Sequence, residues 1–238
     1  MKGILNRNQI KYIAIIAMII DHIAWAFVPT TSVLGQVMHV IGRLTGPTMA
    51  FMIAEGYVHT RDVKKYAIRL GIFALISWPP FSLFENGVWP SLSLSVIYPL
   101  FLGLIAVWMW DKSEASKGAK ITALVGLCIL SIVGDWAFMD VLWVFFFYIY
   151  RDRPKAKWIA FSIVALFEVG FSQLMAITTE HPFRQVFQWG VFLVIPILSY
   201  CYNGEPGSKK PFHKWFFYIF YPGHLLILYI LKCIFLKG

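Results

Sequence analysis

Residues 10–28 read IKYIAIIAMIIDHIAWAFV. One lysine stands near the start of this apolar run, and one polar pair, Asp21-His22, interrupts it. A helix rises 1.5 Å per residue, so about 20 such residues cross the hydrocarbon layer of a bilayer, roughly 30 Å thick. The same template fits eight further segments: 36–57, 66–84, 91–110, 119–134, 136–150, 157–177, 185–202 and 213–236. The fifth and sixth are short enough to form a re-entrant hairpin, an alternative that leaves the sidedness of everything after them unchanged.

Composition agrees with this reading. Of 238 residues, 59% are hydrophobic and 14% charged, against about 45–50% and 25% in soluble domains. Aromatic residues make up 18% and no short repeat occurs, which excludes disordered and fibrous classes. The expected fold is all-α: a polytopic transmembrane helix bundle of about nine spans, forming one integral-membrane domain over residues 1–238.

The net charge is +9. In a soluble protein that excess could point to nucleic acid. In a membrane protein, cytoplasmic loops collect Lys and Arg, so no nucleic-acid partner follows. The loops alternate in charge. One set holds Lys2, Arg7 and Lys11; Arg61, Lys64, Lys65 and Arg69; Lys112, Lys117 and Lys120; Arg151, Arg153, Lys155 and Lys157; and Lys209, Lys210 and Lys214. These are 17 of the 21 basic residues. The other set holds Arg184, Lys232 and Lys237, while Arg43 lies inside a span. The asymmetry predicts a cytoplasmic N-terminus and an external C-terminus. Nine tryptophans, from Trp25 to Trp215, fall near span ends, as an interfacial aromatic belt requires. The first segment also imitates a signal peptide, with Ala24-Trp25-Ala26 as a cleavage pattern, but Asp21-His22 breaks its apolar core. Cys128, Cys201 and Cys233 are isolated, so they read as small hydrophobes rather than a disulfide framework.

Ionisable groups inside spans cost about 2.5–3.5 kcal/mol each on insertion scales and mark functional sites by default. His22 and His224 each lie about a dozen residues into a span from the cytoplasmic side, hence roughly 16 Å deep. Arg43 and Glu168 reach similar levels in the second and seventh spans. Gly42 and Gly46 permit close helix approach. Pro47 cannot bond the carbonyl of Arg43, which predicts a kink there. Pro222-Gly223 should loosen the last span beside His224. Breaks at the depth of the charges predict a protein-lined or wet cavity.

Several stretches carry a family resemblance. They are Lys11 through Asp21-His22, Ile41-Gly42-Arg43-Leu44 with Pro47, and Phe51-Met52-Ile53-Ala54-Glu55-Gly56-Tyr57. His59-Thr60-Arg61, Tyr66, Arg69-Leu70 and Phe217-Tyr218-Ile219-Phe220-Tyr221-Pro222-Gly223-His224-Leu225 continue it. Together they resemble the TraX family over nearly the whole chain. That resemblance implies a bacterial cytoplasmic-membrane enzyme that acetylates an acceptor, the pilin N-terminus in the protein that gives the family its name. It extends to the broader transmembrane acyltransferases, which use cytoplasmic acyl-coenzyme A. Those share a basic residue, ten intervening positions and a histidine in the first helix, a spacing matched by Lys11 and His22. Lys replaces their Arg, a point charge in place of a planar fork.

Acetyl transfer from a thioester needs a base for the acceptor and a stabiliser for the developing oxyanion. His22 is the candidate base. Asp21, about 100° away around the helix, is expected to pair with Arg43 or another helix rather than with the His22 ring. Arg43 is a candidate for the oxyanion or the thioester carbonyl. His224 is a candidate second base, proton shuttle or acetyl-carrying nucleophile. Acetyl-CoA, the implied co-substrate, needs cations for its phosphates. Lys11, Arg61, Lys64, Lys65 and Arg69 are the candidates, although the loop-charge rule alone also accounts for them.

Glu55 and His59, four apart, read as a helical pair or a polar gate. His39 and His181 read as interfacial or surface histidines, and Glu168 as a weaker site candidate. No phosphate-cradling loop, zinc helix or serine elbow occurs, and no metal is expected. Expected partners are membrane lipids, the acyl-CoA donor and an acceptor that is a protein, a glycan or a lipid. Two other functions fit the same residues: a proton-coupled transporter and a non-catalytic pilus or surface assembly factor.

Overall fold

The computed structural model describes residues 3–208 and 210–236. Lys2, Lys209 and Lys237, which contributed to the loop-charge reading, lie outside the described residues, as does the side chain of Lys214. The described residues are helical with short connections: α1 (Arg7–Phe27), α2 (Val33–Gly42), α3 (Thr45–His59), α4 (Val63–Asn86), α5 (Ile97–Lys112), α6 (Lys117–Leu130), α7 (Ala137–Ile149) and α8 (Pro154–Ile177). An irregular stretch follows, with 3₁₀ geometry at Val186–Leu193, a single α turn, α9 (Val194–Pro196), and a π turn at Ile197–Cys201. The last helix is α10 (Pro211–Leu236).

By length and composition, five helices among the described residues can cross a membrane: Arg7–Phe27, Val33–His59, Val63–Asn86, Pro154–Ile177 and Trp215–Phe235. They correspond to the first, second, third, seventh and ninth expected spans. Ala137–Ile149 and Val186–Cys201 are shorter apolar helices. The chain is a polytopic helical membrane protein. The expected fourth span begins later than the sequence pattern, at Ile97, because Gly87 ends α4 in the left-handed conformation (φ +71°) and Pro90 lies in the connection that follows.

Local chemistry sets the helix ends. Asn6 accepts from the Gln9 amide while the Gln9 side chain accepts from the Asn6 amide, a capping box at the start of α1. Ser32, Asp62 and Ser116 cap α2, α4 and α6. The Lys65 amide bonded to Asp62 holds that carboxyl below its ordinary range, and the Lys65 ammonium adds to the effect. The second span is divided at Arg43-Leu44, where α2 gives way to α3. Pro47, in the first turn of α3, is the residue that would otherwise have bonded the Arg43 carbonyl. The loosening expected at Pro222-Gly223 does not break the last span: α10 continues as helix through Pro222.

The helices form two compact units, Met1–Met49 with Ser162–Gly238, and Ala50–Phe161. In the first, α1 packs on α2, α2 on the Val186–Leu193 stretch, and α1 on α10. Two glycines make these approaches possible. A Cβ on Gly42 would run into the Asp21 side chain, and one on Gly190 would run into the backbone of Val40. The chain entering α1 is tied to the segment before α10: the Leu5 amide donates to the Cys201 carbonyl at 2.8 Å, and the Arg7 amide to that of Glu205 at 2.8 Å. In the second unit α5 packs against α4, α6 and α7. Trp143, Phe147 and Phe161 fill its interior.

Gly42→Val should therefore overpack the α1–α2 contact at a cost of about 1–3 kcal/mol, lowering Tm in detergent by several degrees, on the order of 2–4 °C per kcal/mol. Gly126→Val, where nothing lies within 4 Å, should leave Tm nearly unchanged.

Candidate functional site

Four polar side chains from α1 and α2 and one from α10 assemble within the first unit. α1 supplies the neighbours Asp21 and His22. Because they diverge by about 100° around the helix, each meets a different element. Asp21 turns to α2, where its Oδ1 accepts from His39 Nδ1–H at 2.8 Å and its Oδ2 from Arg43 Nη2 at 2.9 Å. His22 meets α10, with its Nδ1 2.8 Å from His224 Nε2.

The Asp21 cluster is sealed from solvent. His39 is fully buried, and Asp21 and Arg43 are each 7% exposed. The His39 ring lies against Trp25 and Phe187, with centroids 4.3 and 4.9 Å away. The Arg43 guanidinium sits 5.1 Å from the Phe187 ring centre and donates through Nη1 to Gln188 Oε1 at 3.4 Å. Gln36 locks the facing segment: its Oε1 accepts from the Phe187 amide at 3.0 Å, and its Nε2 donates to the Arg184 carbonyl at 2.9 Å.

The histidine pair has a direction. His224 Nδ1 lies 3.1 Å from the Phe220 carbonyl. A carbonyl only accepts, so His224 Nδ1 carries the proton and, in the neutral ring, Nε2 is an acceptor. The proton between the rings therefore sits on His22 Nδ1, and the lone pair of neutral His22 is on Nε2. A stacked Phe220 ring, 5.2 Å away and inclined by 6°, holds His224 in place. A neutral imidazole with its lone pair on Nε2 and its Nδ1–H committed to an acceptor is arranged to take up a proton at Nε2.

The pairing of Asp21 with Arg43 follows the sequence reading. His39 does not: the expected interfacial histidine is the most deeply buried member of the cluster. A signal for this was present, because His39 and Arg43 are four apart and share a helix face. Gln188 carried no such signal; it reaches Arg43 from 145 residues away, on an irregular segment. Glu168 is half-buried and accepts from Ser172 on its own helix at 3.3 Å. His181 is exposed.

One expected phosphate-binding cation lies in the first unit and four lie at or just before the start of α4 in the second. Lys11, in the first unit, is half-buried with its ammonium 5.3 Å from the centre of the Phe217 ring. In the second unit Arg61, Lys64 and Lys65 are exposed, and Lys65 pairs with Asp62 at 3.3 Å. Arg69 is half-buried over Tyr66 at 5.4 Å. Glu55 and His59 form the expected helical pair at 3.6 Å. Among the described residues no three His, Cys, Asp or Glu side chains are grouped to hold a metal.

The family model described as TraX protein matches residues 6–232, a range that takes in every residue of this cluster. The chain belongs to the TraX family. A curated relative, the probable fimbrial assembly protein FimC, serogroup H1, of Dichelobacter nodosus, is 31% identical over 230 residues, covering 92% of this chain and 93% of that protein. No solved structure matches the chain.

In this TraX-family chain, Arg43→Met should leave the Asp21 carboxylate buried without its guanidinium, at a cost of about 3–5 kcal/mol. Removing the charge as well, in an Asp21→Asn/Arg43→Met double variant, should recover part of that loss. Unfolding of the purified variants by titration with denaturing detergent measures both.

Proposed function

We propose that the protein is an integral-membrane acyltransferase of the bacterial cytoplasmic membrane. It moves an acetyl group from cytoplasmic acetyl-CoA to an acceptor at the membrane or cell surface. The observation that carries this reading is the directed pair of histidines beside a buried carboxylate–guanidinium pair, in a chain of the TraX family. In the TraX protein that the sequence resembles, the acceptor is the pilin N-terminal amine. The relative's own name supports an acceptor of the fimbrial kind.

In this mechanism the acceptor nitrogen or oxygen attacks the thioester carbonyl and loses its proton to His22 Nε2. The tetrahedral intermediate collapses, the C–S bond breaks, and the coenzyme A thiolate leaves. The proton on His22 Nε2 passes to that thiolate, which restores the base. The Nδ1–H bond to His224 fixes ring orientation and tautomer throughout, a task that does not require His224 to exchange protons. Asp21, bonded to His39 and Arg43, fixes the rotation of α1 that aims His22 at α10. Arg43 is a positioning residue here, since Nη2 and Nη1 are engaged by Asp21 and Gln188.

A second reading is a non-catalytic assembly factor, favoured by the fimbrial assembly role in the relative's name. One experiment separates them. Purified protein is incubated with radiolabelled acetyl-CoA and envelope from cells lacking the gene, and label transferred to acceptor is counted. Loss of a general base is expected to slow transfer by about 10²–10⁴-fold in His22→Gln, with unchanged detergent stability. Undiminished transfer by that variant refutes the role of His22. No transfer by the wild type, with surface assembly retained in His22→Gln cells, supports the assembly factor.

A further inference from the structure

The second unit contains a cleft that the acyl-transfer reading does not use. It lies among the C-terminal turns of α3 and α7 and the first turns of α8, and holds about 40 Å³ of free space. Phe51 and Phe147 form its apolar wall, and Glu55, Tyr148, Arg151 and Lys157 its polar one. Loop charge puts this end of the three helices on the cytoplasmic side. The volume is well below the roughly 300–1,000 Å³ of clefts that enclose a whole ligand. At about 10–15 Å³ per water-sized group it suits one small polar group such as a phosphate, with the remainder of a ligand at the cleft mouth.

Lys157 is the informative residue. It is half-buried, and among the described residues its ammonium makes no ion pair. Its contacts are two aromatic faces, Phe51 at 5.3 Å and Trp158 at 5.1 Å. A cation held over rings is oriented but not neutralised. Arg151 faces the same cleft. It lies 4.6 Å from the Tyr148 ring centre, donates through Nη1 to the Tyr148 carbonyl at 3.1 Å, and meets the exposed Asp152 through Nε at 3.4 Å.

The acids nearby are largely spoken for. Glu55 is paired with His59 at 3.6 Å. Asp111 accepts from Tyr57 at 2.7 Å and from Tyr148 at 2.6 Å, and lies 3.0 Å from Lys112. These bonds clamp the Tyr148 ring, over which Arg151 is stacked. The cleft thus presents two cations, Arg151 and Lys157, against one lining carboxylate, Glu55, which acts on Lys157 electrostatically and also meets His59.

We propose that this cleft binds a phosphate ester, its phosphate oxygens bonded between Arg151 and Lys157 and its organic part at the cleft mouth. This is a binding site in its own right and does not depend on acyl transfer. The same chemistry is offered by a soluble nucleotide and by an anionic lipid head group, and the test has an arm for each.

In the first arm, protein in phosphatidylcholine nanodiscs is titrated calorimetrically with adenosine 3′,5′-bisphosphate. In the second, lipid co-purifying from mixed phosphatidylglycerol and phosphatidylcholine nanodiscs is counted by native mass spectrometry. The expected result is binding in at least one arm, weakened by about ten- to a hundredfold in Lys157→Gln and Arg151→Gln, the loss of one charge-assisted hydrogen bond, and unaffected by His22→Gln. Nucleotide binding alone identifies a soluble ligand, and phosphatidylglycerol retention alone a lipid. A second measurement needs no variant: in wild-type protein, saturating ligand should protect Lys157 from amine-reactive labelling. Binding in neither arm, binding that ignores both substitutions, or full labelling of Lys157 at saturation overturns the proposal.

Discussion

A carboxylate that leaves water must find its hydrogen bonds inside the protein, and Asp21 finds them on a single neighbouring helix. His39 and Arg43, four residues apart on α2, bond one oxygen each. With the carboxylate's two oxygens satisfied and a guanidinium opposite, the desolvation that would otherwise cost several kcal/mol is offset. Much of the first unit follows from this contact. Gly42 is required because any Cβ there would collide with Asp21. Gln188, Phe187 and the Gln36 bonds that hold their segment complete the enclosure.

The cluster also orients what lies beside it. Fixing the Asp21 face of α1 against α2 fixes the neighbouring His22 about 100° away, where it meets His224 on α10. Chemical direction then comes from one main-chain atom. The Phe220 carbonyl demands a donor, which assigns the His224 tautomer and, through it, the nitrogen of His22 that carries the lone pair. A base of this kind is prepared by its surroundings rather than by residue type alone, which separates a site from a lone buried histidine.

Charges elsewhere are handled differently. The exposed lysines at the start of α4 remain solvated or meet local partners such as Asp62. In the second unit, Asp111 is bonded by two tyrosines and lies beside Lys112, whereas the half-buried Lys157 ammonium lies over the Phe51 and Trp158 rings. Burial raises the cost of a charge, so the same residue type carries different information at the exposed Lys64 and at the half-buried Lys157.

The sequence by itself determined the membrane class, the positions of the long helices, the break before Pro47 and the placement of Asp21, His22, Arg43 and His224 within apolar runs. These properties depend on run length, local bonding and the fixed rise of a helix, all of which are local. It also implied that Asp21 would turn away from His22. Only the tertiary structure decided which groups meet. His39 proved to be a buried partner of Asp21 rather than an interfacial residue, Gln188 joined from an irregular segment, the two histidines bonded each other, and α10 stayed helical through Pro222. Those outcomes depend on how each helix is rotated about its axis and on which distant segment packs against it. That information is shared among residues far apart in the chain and absent from any one stretch of it.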